Sequence, residues 1–277
     1  MFAELLIILL LLWVPAWLRF GRGVDHCFYR PRRNAEDVAI PGMKWVETQS
    51  EDGVGIRGVQ IQPKTRASGR VVLYFHGILF NPKYKLESLK RFADENHIAV
   101  LMFNYRGYCY SDNVKCSEDG IKRDAQAILD FVAREYRGEE VFVMGKSFGC
   151  AVALHMLNLR TRDGRPAEEL FKALILDAPF TSAPEVIKHL TNSLLPSFLY
   201  AHALHWNNLT AIETLSLPIL ILHGTNDQTC PFRMSVALQK RAKAARLIRI
   251  EDAGHNSLWH HPAYKRALKA LWDIKFN

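Results

Sequence analysis

Three residues far apart in the chain have the side chains that nucleophilic catalysis by an alcohol requires. Ser147 lies in the segment VFVMGKSFGCAVAL, flanked by Gly145 and Gly149. A serine hydroxyl is a weak nucleophile unless a base removes its proton, and that base needs a carboxylate to orient it. His255 in EDAGHNSLW and Asp227 in ILHGTNDQTCPF have the required side chains. The sequence therefore predicts a catalytic triad of Ser147, His255 and Asp227.

The positions of these residues relative to the predicted strands favour catalysis over a plain turn. The apolar run VFVMG precedes Ser147 and a helical pattern begins at Phe148, so Ser147 lies at a strand-to-helix turn. Asp227 follows the run PILIL, and His255 follows ARLIRI. Catalytic groups of open α/β sheets lie beyond the carboxyl ends of the strands, and the order Ser, Asp, His is that of a nucleophile elbow. The alternative is a turn in which two glycines only let the chain bend.

Backbone N–H groups are predicted to form an oxyanion hole beside Ser147. A helix that begins at Phe148 directs its N-terminal N–H groups and their positive potential at the place where an oxyanion would form. The segment YFHGILFN leaves the apolar run VVLYF through a His-Gly pair. The N–H of Ile78, or alternatively that of Leu79, is the second predicted donor.

Two other polar residues close to these motifs, Lys146 and Asp177, have more than one interpretation, and two histidines are expected to be structural. Lys146, beside Ser147, either brings a positive charge close to the substrate or extends into solvent. Asp177 ends a predicted strand and competes with Asp227 as the acid of the triad, although a structural hydrogen-bonding role is favoured for it. His76 and His223 precede glycines in loops, so we expect them to hydrogen-bond to the backbone.

The elements that must position these residues alternate between strand and helix. An initial hairpin is predicted at 44–49 and 56–62, and six short apolar runs are predicted as strands at 71–75, 98–103, 141–145, 173–177, 218–223 and 245–250. Helical patterns lie at 86–96, 119–136, 148–160, 231–243 and 257–274. Near-continuous apolar runs are typical of strands buried on both faces of a parallel sheet. The prediction is an α/β fold with a mostly parallel, doubly wound sheet of about eight strands and helices on both faces.

An insertion at about 180–214 interrupts this alternation. It carries large apolar residues at loosely helical spacing just past the carboxyl end of a strand, which favours a short helical lid over an apolar pocket. A helix of the core is the alternative. The residues predicted to form the lid and the substrate pocket are Leu79, Leu194, Leu195, Phe198 and Trp206.

Residues 1–18, MFAELLIILLLLWVPAWL, are predicted to be an uncleaved membrane anchor. They have neither the positively charged start nor the small-residue cleavage site of a secretory signal. The apolar run is shorter than the ~20 residues of a comfortable spanning helix, and Pro15 would kink it. A helix that lies in the membrane interface, with Trp13 and Trp17 at headgroup level, is therefore the alternative.

Basic residues follow this segment in a predicted linker at 19–39, and the catalytic domain is predicted at 40–277. If the segment spans a membrane, the positive-inside rule places the catalytic domain on the cytoplasmic side. A single Asn208-Leu209-Thr210 sequon argues weakly for the other side.

The composition indicates a globular protein, because 49% of its residues are hydrophobic and 23% are charged. A net charge of +8 suits an anionic partner such as a membrane surface, whereas no signature of a nucleic-acid-binding module is present. Five cysteines favour reduced thiols over a disulfide framework, with a bridge between Cys109 and Cys116 left open.

No cofactor and no metal ion is predicted. The pattern GVGIRG at 53–58 matches the glycines of a dinucleotide-binding loop, but a strand follows it where a helix is required. The histidines of HALH at 202–205, and His260 with His261, lack the carboxylate or cysteine neighbours of a metal site.

Six short segments together resemble the α/β-hydrolase superfamily, in particular its small N-terminally anchored serine hydrolases near the prolyl-oligopeptidase and dienelactone-hydrolase branch. They are FHG, NYRGYCYSD, GKSFG, LILDAPF, LHGTND and AGHN, which cover residues 40 to 277 in order. The resemblance implies Ser147 as nucleophile, His255 as base, Asp227 as acid, and the N–H groups of Ile78 and Phe148 as oxyanion hole. Departures from the common pattern at Asn104, Ile78 and Cys230-Pro231 remove no catalytic group.

The sequence as a whole predicts a membrane-associated serine hydrolase that cleaves esters or thioesters with apolar acyl groups, on lipids or acylated proteins. A peptidase-like hydrolase is one alternative and rests on the resemblance alone. A membrane-tethered binding or scaffold protein with the same fold is the other, because fold does not fix function.

Overall fold

The computed structural model describes residues 29, 38–65, 68–79, 82–191 and 204–274. The predicted anchor at 1–18 and almost all of the predicted linker at 19–39 lie outside these residues. Within the described ranges, no helix is both long enough and apolar enough to cross a membrane. The division into anchor, linker and catalytic domain therefore stays a prediction.

Eight strands form one mixed sheet in the order β1-β2-β4-β3-β5-β6-β7-β8. Their bounds are β1 (Met43–Gln49), β2 (Gly55–Ile61), β3 (Arg70–Phe75), β4 (Ala99–Phe103), β5 (Glu140–Lys146), β6 (Phe171–Asp177), β7 (Ile219–Gly224) and β8 (Ala245–Ile250). Strand β2 runs antiparallel to both β1 and β4. The strands from β3 to β8 are parallel. This confirms the predicted fold class and the hairpin.

Helices connect the parallel strands. They are α1 (Pro82–Asn96), α2 (Glu118–Glu135), α3 (Phe148–Leu157), α4 (Ala183–Leu190), α5 (Asn208–Thr214), α6 (Phe232–Arg241) and α7 (Pro262–Trp272). Helix α2 begins where the sequence indicates, because the Ser117 hydroxyl accepts a hydrogen bond from the Gly120 N–H at 3.2 Å.

Three helices differ from the predicted patterns by three residues or more. Helix α1 begins at Pro82 instead of residue 86. Helix α3 ends at Leu157 instead of residue 160, and the Asn158 side chain donates to the Leu154 carbonyl at its C-terminus. Helix α7 begins at Pro262 instead of residue 257, because a 3-10 turn at Leu258–His260 comes first. Proline suits the first helical turn, where its missing N–H breaks no hydrogen bond.

The centre of the sheet is buried on both faces. Every residue of β3 from Val71 to Phe75 and of β5 from Val141 to Met144 is buried, so alternate side chains pack on opposite sides. Strand β5 lies between β3 and β6, and Ser147 follows it directly. The nucleophile candidate is therefore attached to the buried centre of the sheet.

The insertion after β6 contains two helices, α4 and α5, which are linked by a β-bridge between Ser182 and Asn207. The stretch from 192 to 203 lies outside the described residues, and it contains the predicted lid residues Leu194, Leu195 and Phe198. The lid is accordingly still a prediction.

Candidate active site

Ser147 forms a sharp turn between β5 and α3. Its φ of 53° and ψ of −116° are strained for a residue with a side chain. The Ser147 N–H donates to the Asp177 carbonyl at 2.8 Å, and the Cys150 N–H donates to the Ser147 carbonyl at 2.9 Å. These bonds hold the strained residue in place. A positive φ at a serine between a strand and a helix is the geometry of a nucleophile elbow.

The two glycines around Ser147 are required by close backbone contacts. A Cβ atom on Gly145 would lie 2.5 Å from the Gly149 carbonyl oxygen. A Cβ atom on Gly149 would lie 2.0 Å from the Phe75 carbonyl oxygen, which belongs to the neighbouring strand β3. Neither position has room for a side chain, so the Gly-x-Ser-x-Gly spacing lets the start of α3 approach β3 and β5 closely.

Asp227 and His255 form a hydrogen-bonded pair. The His255 Nδ1 donates to Asp227 Oδ2 at 2.7 Å. The N–H groups of Thr229 and Cys230 both donate to the other carboxylate oxygen, Oδ1, at 2.8 Å. Asp227 lies in the loop after β7 and His255 in the loop after β8, so two adjacent strands position the pair. Because Nδ1 carries the proton, the Nε2 of His255 is an acceptor when the ring is neutral.

Asp227 has a further partner that the sequence analysis missed. The His223 Nε2 lies 2.7 Å from the Cys230 carbonyl and 3.2 Å from Asp227 Oδ2, and its Nδ1 lies 2.5 Å from Ser235 Oγ. The predicted backbone bond exists, but His223 also contacts the carboxylate. Two acceptors face its Nε2, so that nitrogen carries a proton. The four-residue spacing of histidine and aspartate in HGTND is the only signal of this contact in the sequence.

Asp227 is ionised at neutral pH. Burial raises the pKa of its carboxyl, but hydrogen bonds from His223, His255 and the Cys230 N–H outweigh burial and hold the pKa well below its usual range. A carboxylate in this state fixes the tautomer of His255 and stabilises an imidazolium when one forms.

Ser147 and His255 line the same cavity, which has a volume of about 1180 Å³. Cys230 lies close to Ser147, and burial raises the pKa of its thiol to about 12. The Lys146 ammonium donates to the His255 carbonyl at 2.5 Å and so links the elbow to the loop after β8. The structure thus brings the three predicted triad residues to one end of the sheet, with Asp227 behind His255.

The loop after β3 lies against Ser147. A Cβ atom on Gly77 would lie 3.7 Å from the Cβ of Ser147, and Ile78 and Leu79 both line the cavity. The His76 Nδ1 donates to the Gly77 carbonyl at 2.8 Å, which is the predicted backbone bond. Burial lowers the pKa of His76 to about 3 despite this bond, so its ring is neutral and acts as a structural support of the loop.

Lys146 is not in solvent, which corrects one of the two interpretations of this residue. It is buried, and its ammonium donates to Asp177 Oδ1 at 2.7 Å. The other oxygen of Asp177 accepts from the Trp259 Nε1 at 2.6 Å and from the Tyr264 hydroxyl at 3.0 Å. Asp177 therefore has the structural hydrogen-bonding role that the sequence favoured, and its carboxylate compensates the charge of Lys146.

Trp206, predicted as a residue of the lid or pocket, lies in the core instead. It is buried and meets the Phe148 ring edge to face, with 5.5 Å between ring centroids. Its indole N–H donates to the Tyr29 hydroxyl at 2.8 Å. A buried indole needs such a partner, and this one is 177 residues away in the sequence. Trp206 therefore packs against Phe148, the first residue of α3.

Residues 70–201 match the family described as alpha/beta hydrolase fold. The mostly parallel eight-stranded sheet and the strained serine turn after β5 agree with that match. The chain has the α/β-hydrolase fold.

Several α/β-hydrolases are similar to the chain in sequence. The lysophosphatidylserine lipase ABHD12 of Xenopus tropicalis is 26% identical over 248 residues, which cover 82% of this chain and 61% of that protein. The alpha/beta hydrolase domain-containing protein WAV2 of Arabidopsis thaliana is 29% identical over 210 residues, which cover 70% of this chain and 65% of the relative. The chain thus spans less than two thirds of the length of either relative.

Solved structures of esterases share the fold. The Pyrococcus furiosus esterase Pf2001 superimposes with a TM-score of 0.67 at 18% identity, over 88% of this chain and 96% of that chain. Est1E from Butyrivibrio proteoclasticus, solved with ferulic acid bound, gives a TM-score of 0.64 at 17% identity, over 82% and 98% of the two chains. At these identities the likeness concerns the fold.

The described parts of this protein contain no group of three or more histidine, cysteine, aspartate or glutamate side chains arranged to hold a metal ion. Cys109, Cys116, Cys150 and Cys230 are present as thiols. The cavity also contains Lys85 and Trp259, which the sequence analysis did not single out, because no local pattern relates them to Ser147.

Proposed function

We propose that this protein is a serine hydrolase that cleaves carboxylic esters through an acyl-enzyme. The observation that carries the proposal is the ionised Asp227 bonded to His255 Nδ1, with His255 and the strained Ser147 on one cavity. A histidine that a carboxylate orients, on the same cavity as a serine hydroxyl, has the components that activate a serine. The names of the relatives, a lipase and several esterases, also support ester hydrolysis.

In the proposed reaction, the Ser147 Oγ attacks the ester carbonyl while His255 Nε2 takes the hydroxyl proton. His255 then gives that proton to the leaving alcohol as the acyl-enzyme forms. Water, deprotonated by the same imidazole, attacks the acyl-enzyme and releases the acid and the free serine. The N–H groups of Ile78 and Phe148 are proposed to bind the oxyanion, since Ile78 follows the loop against Ser147 and Phe148 begins α3.

An apolar acyl group is the proposed substrate feature, on an ester or a thioester. The walls of the cavity include six large apolar side chains, namely Leu79, Tyr84, Phe92, Trp259, Leu268 and Trp272. A volume of about 1180 Å³ exceeds the needs of a small ester such as an acetate and suits a longer chain. Membrane association is proposed from the apolar segment at 1–18 and the arginines after it, with the catalytic domain on the cytoplasmic side.

The first test is labelling with a fluorophosphonate probe. We expect the full-length protein to be labelled, Ser147→Ala to be unlabelled, and Ser88→Ala, which changes another serine on the same cavity wall, to be labelled like the wild type. A correctly folded wild type that resists the probe would favour a binding or scaffold protein and reject the hydrolase.

The second test compares substrates on the wild-type enzyme that has not been treated with the probe. Hydrolysis of p-nitrophenyl esters from acetate to dodecanoate should show kcat/KM rising with chain length, because each buried methylene contributes about 0.8 kcal/mol. An acyl-thioester and a peptide amide are included with the same acyl group. Preference for the amide would replace the esterase by a peptidase-like enzyme.

A further inference from the structure

Lys85, on helix α1, is a cation inside the cavity that contains Ser147. Its Nζ lies 3.6 Å from the centroid of the Trp259 ring and 4.8 Å from that of Tyr74. The aromatic faces attract the ammonium electrostatically, but they accept none of its three N–H bonds in the strong geometry of an oxygen acceptor. The side chain is half-buried, and the part that remains accessible opens into the cavity.

Three other cations that line the cavity have carboxylate partners, and Lys85 has none among the described residues. Arg91 and Lys269 also line the cavity without such a partner in the described ranges, but both are exposed, whereas Lys85 is half-buried. Arg70 pairs with Glu140 at 2.7 Å, Lys146 with Asp177 at 2.7 Å, and Lys265 with Glu95 at 2.9 Å. Among the residues that the structure describes, no carboxylate oxygen lies within 4.0 Å of the Lys85 ammonium. Cations away from bulk water are normally paired, so this one has the surroundings of an anion-binding group.

The charges that face Lys85 leave it under-compensated. Asp177 on β6 attracts it, whereas Lys146 on β5 repels it and already occupies one oxygen of Asp177. Burial, with the repulsion of Lys146, lowers the pKa of the Lys85 ammonium to about 7 despite Asp177. Its charge also helps to lower the pKa of His76, which places Lys85 within electrostatic reach of the loop that carries the Ile78 N–H.

We propose that Lys85 binds an anionic oxygen group, a phosphate or a carboxylate, that the ester substrate carries close to its scissile carbonyl. This inference rests on the proposed esterase function and names the substrate class, an acidic amphiphile. The anion replaces the missing carboxylate at the Lys85 Nζ, while the indole of Trp259 holds the ammonium from its other side. The apolar walls of the same cavity accept the acyl chain. Lys85 is thus a specificity residue, and Ser147 chemistry proceeds without it.

The experiment compares two octanoyl esters of glycerol below their micelle concentrations, the neutral monoacylglycerol and its glycerol phosphate analogue. The variants are Lys85→Met, which keeps an apolar stem on Trp259, Lys85→Arg, which restores the charge, and Lys265→Met as a control cation of the same cavity. The selectivity is the ratio of kcat/KM for the phosphate ester to kcat/KM for the neutral ester.

We expect Lys85→Met to lower this ratio about tenfold or more, the size of a lost charge-assisted hydrogen bond, with the neutral ester changed less than about twofold. Lys85→Arg should restore most of the ratio, and Lys265→Met should leave it unchanged. A structural role for Lys85 would instead lower both rates together and leave the ratio intact, which would overturn the proposal. If wild type hydrolyses neither ester, the proposed esterase function fails instead.

Two further measurements use the same proteins. The ratio should fall as the pH rises from 7 to 9, because Lys85 loses its proton there, and titration of the triad cancels between the two esters. The phosphate ester is already a dianion over most of this range, since its second pKa is about 6. A ratio independent of pH from 7 to 9 in wild type would contradict the inference. Inorganic phosphate serves as a competitor in the hydrolysis of the neutral ester. If it inhibits this reaction as strongly as the phosphate ester does, the site belongs to free phosphate. Weak inhibition by inorganic phosphate supports an anion carried by the ester.

Discussion

Replacement of Asp227 by asparagine removes one charge and almost no volume, so it isolates what the carboxylate does. The two carboxylate oxygens are not equivalent. Oδ1 accepts two backbone N–H groups, from Thr229 and Cys230, that cannot rotate away. The asparagine must therefore place its carbonyl oxygen at the Oδ1 position and its NH2 group at the Oδ2 position, facing His255 Nδ1.

This orientation reverses the hydrogen bond to the catalytic base. A donor now faces Nδ1 at the 2.7 Å position, so the imidazole accepts there and carries its proton on Nε2. That tautomer cannot take the Ser147 proton. The expected loss is about 10⁴-fold in kcat for ester hydrolysis, or about 5 kcal/mol of transition-state stabilisation. KM should change little, because Asp227 lies behind His255 and does not line the cavity.

The assay is steady-state hydrolysis of p-nitrophenyl octanoate, together with the rate of fluorophosphonate labelling and a thermal unfolding curve. Asp177→Asn is the matched comparison, because it makes the same change at the other buried carboxylate near Ser147. It leaves the Lys146 ammonium without its counter-charge, so we expect a larger loss of stability, about 3 kcal/mol, than of catalytic rate. Retention of more than a tenth of the wild-type kcat by Asp227→Asn, with collapse of kcat in folded Asp177→Asn, would refute the assignment of the acid.

Three other changes test separate parts of the structure. Gly149→Ala should unfold or severely destabilise the protein, by more than about 2 kcal/mol, because the new Cβ would lie 2.0 Å from the Phe75 carbonyl oxygen. Gly254→Ala, whose Cβ would meet nothing closer than 3.8 Å, is the control, and equal melting temperatures for the two variants would contradict the steric account. His223→Phe should lower kcat about tenfold at unchanged KM, since Asp227 loses a hydrogen-bond donor at 3.2 Å. Ser235→Ala changes only the hydrogen bond at the other ring nitrogen of His223, so it should lower kcat less. A wild-type kcat in folded His223→Phe would make that histidine purely structural. The double variant Leu9→Asp with Leu12→Asp should reduce co-sedimentation of the full chain with anionic phospholipid vesicles by about tenfold or more. The reason is that charges are costly in an apolar membrane segment. Undiminished binding would assign the membrane contact to another surface.

The strands were predictable because a parallel sheet buried on both faces imposes near-continuous apolar runs, and those runs are visible one at a time. The hairpin and the parallel strands appear in the structure close to their predicted positions. Helix ends were less predictable. The 3-10 turn at Leu258–His260 and the side-chain bond of Asn158 shorten two helices, and both depend on local hydrogen bonds that periodicity does not encode.

The sequence by itself determined which residues have the chemistry for a triad and at which strand ends they lie. That information is local, because a serine between two glycines after an apolar run needs no knowledge of the rest of the chain. Tertiary structure alone decided the contacts across the sheet. His223 on Asp227, the pairing of Lys146 with Asp177, the burial of Trp206 beneath Phe148, and Lys85 over Trp259 each join residues from different elements. Such pairs form only when strands and helices pack, and neither composition nor spacing specifies which side chains then meet.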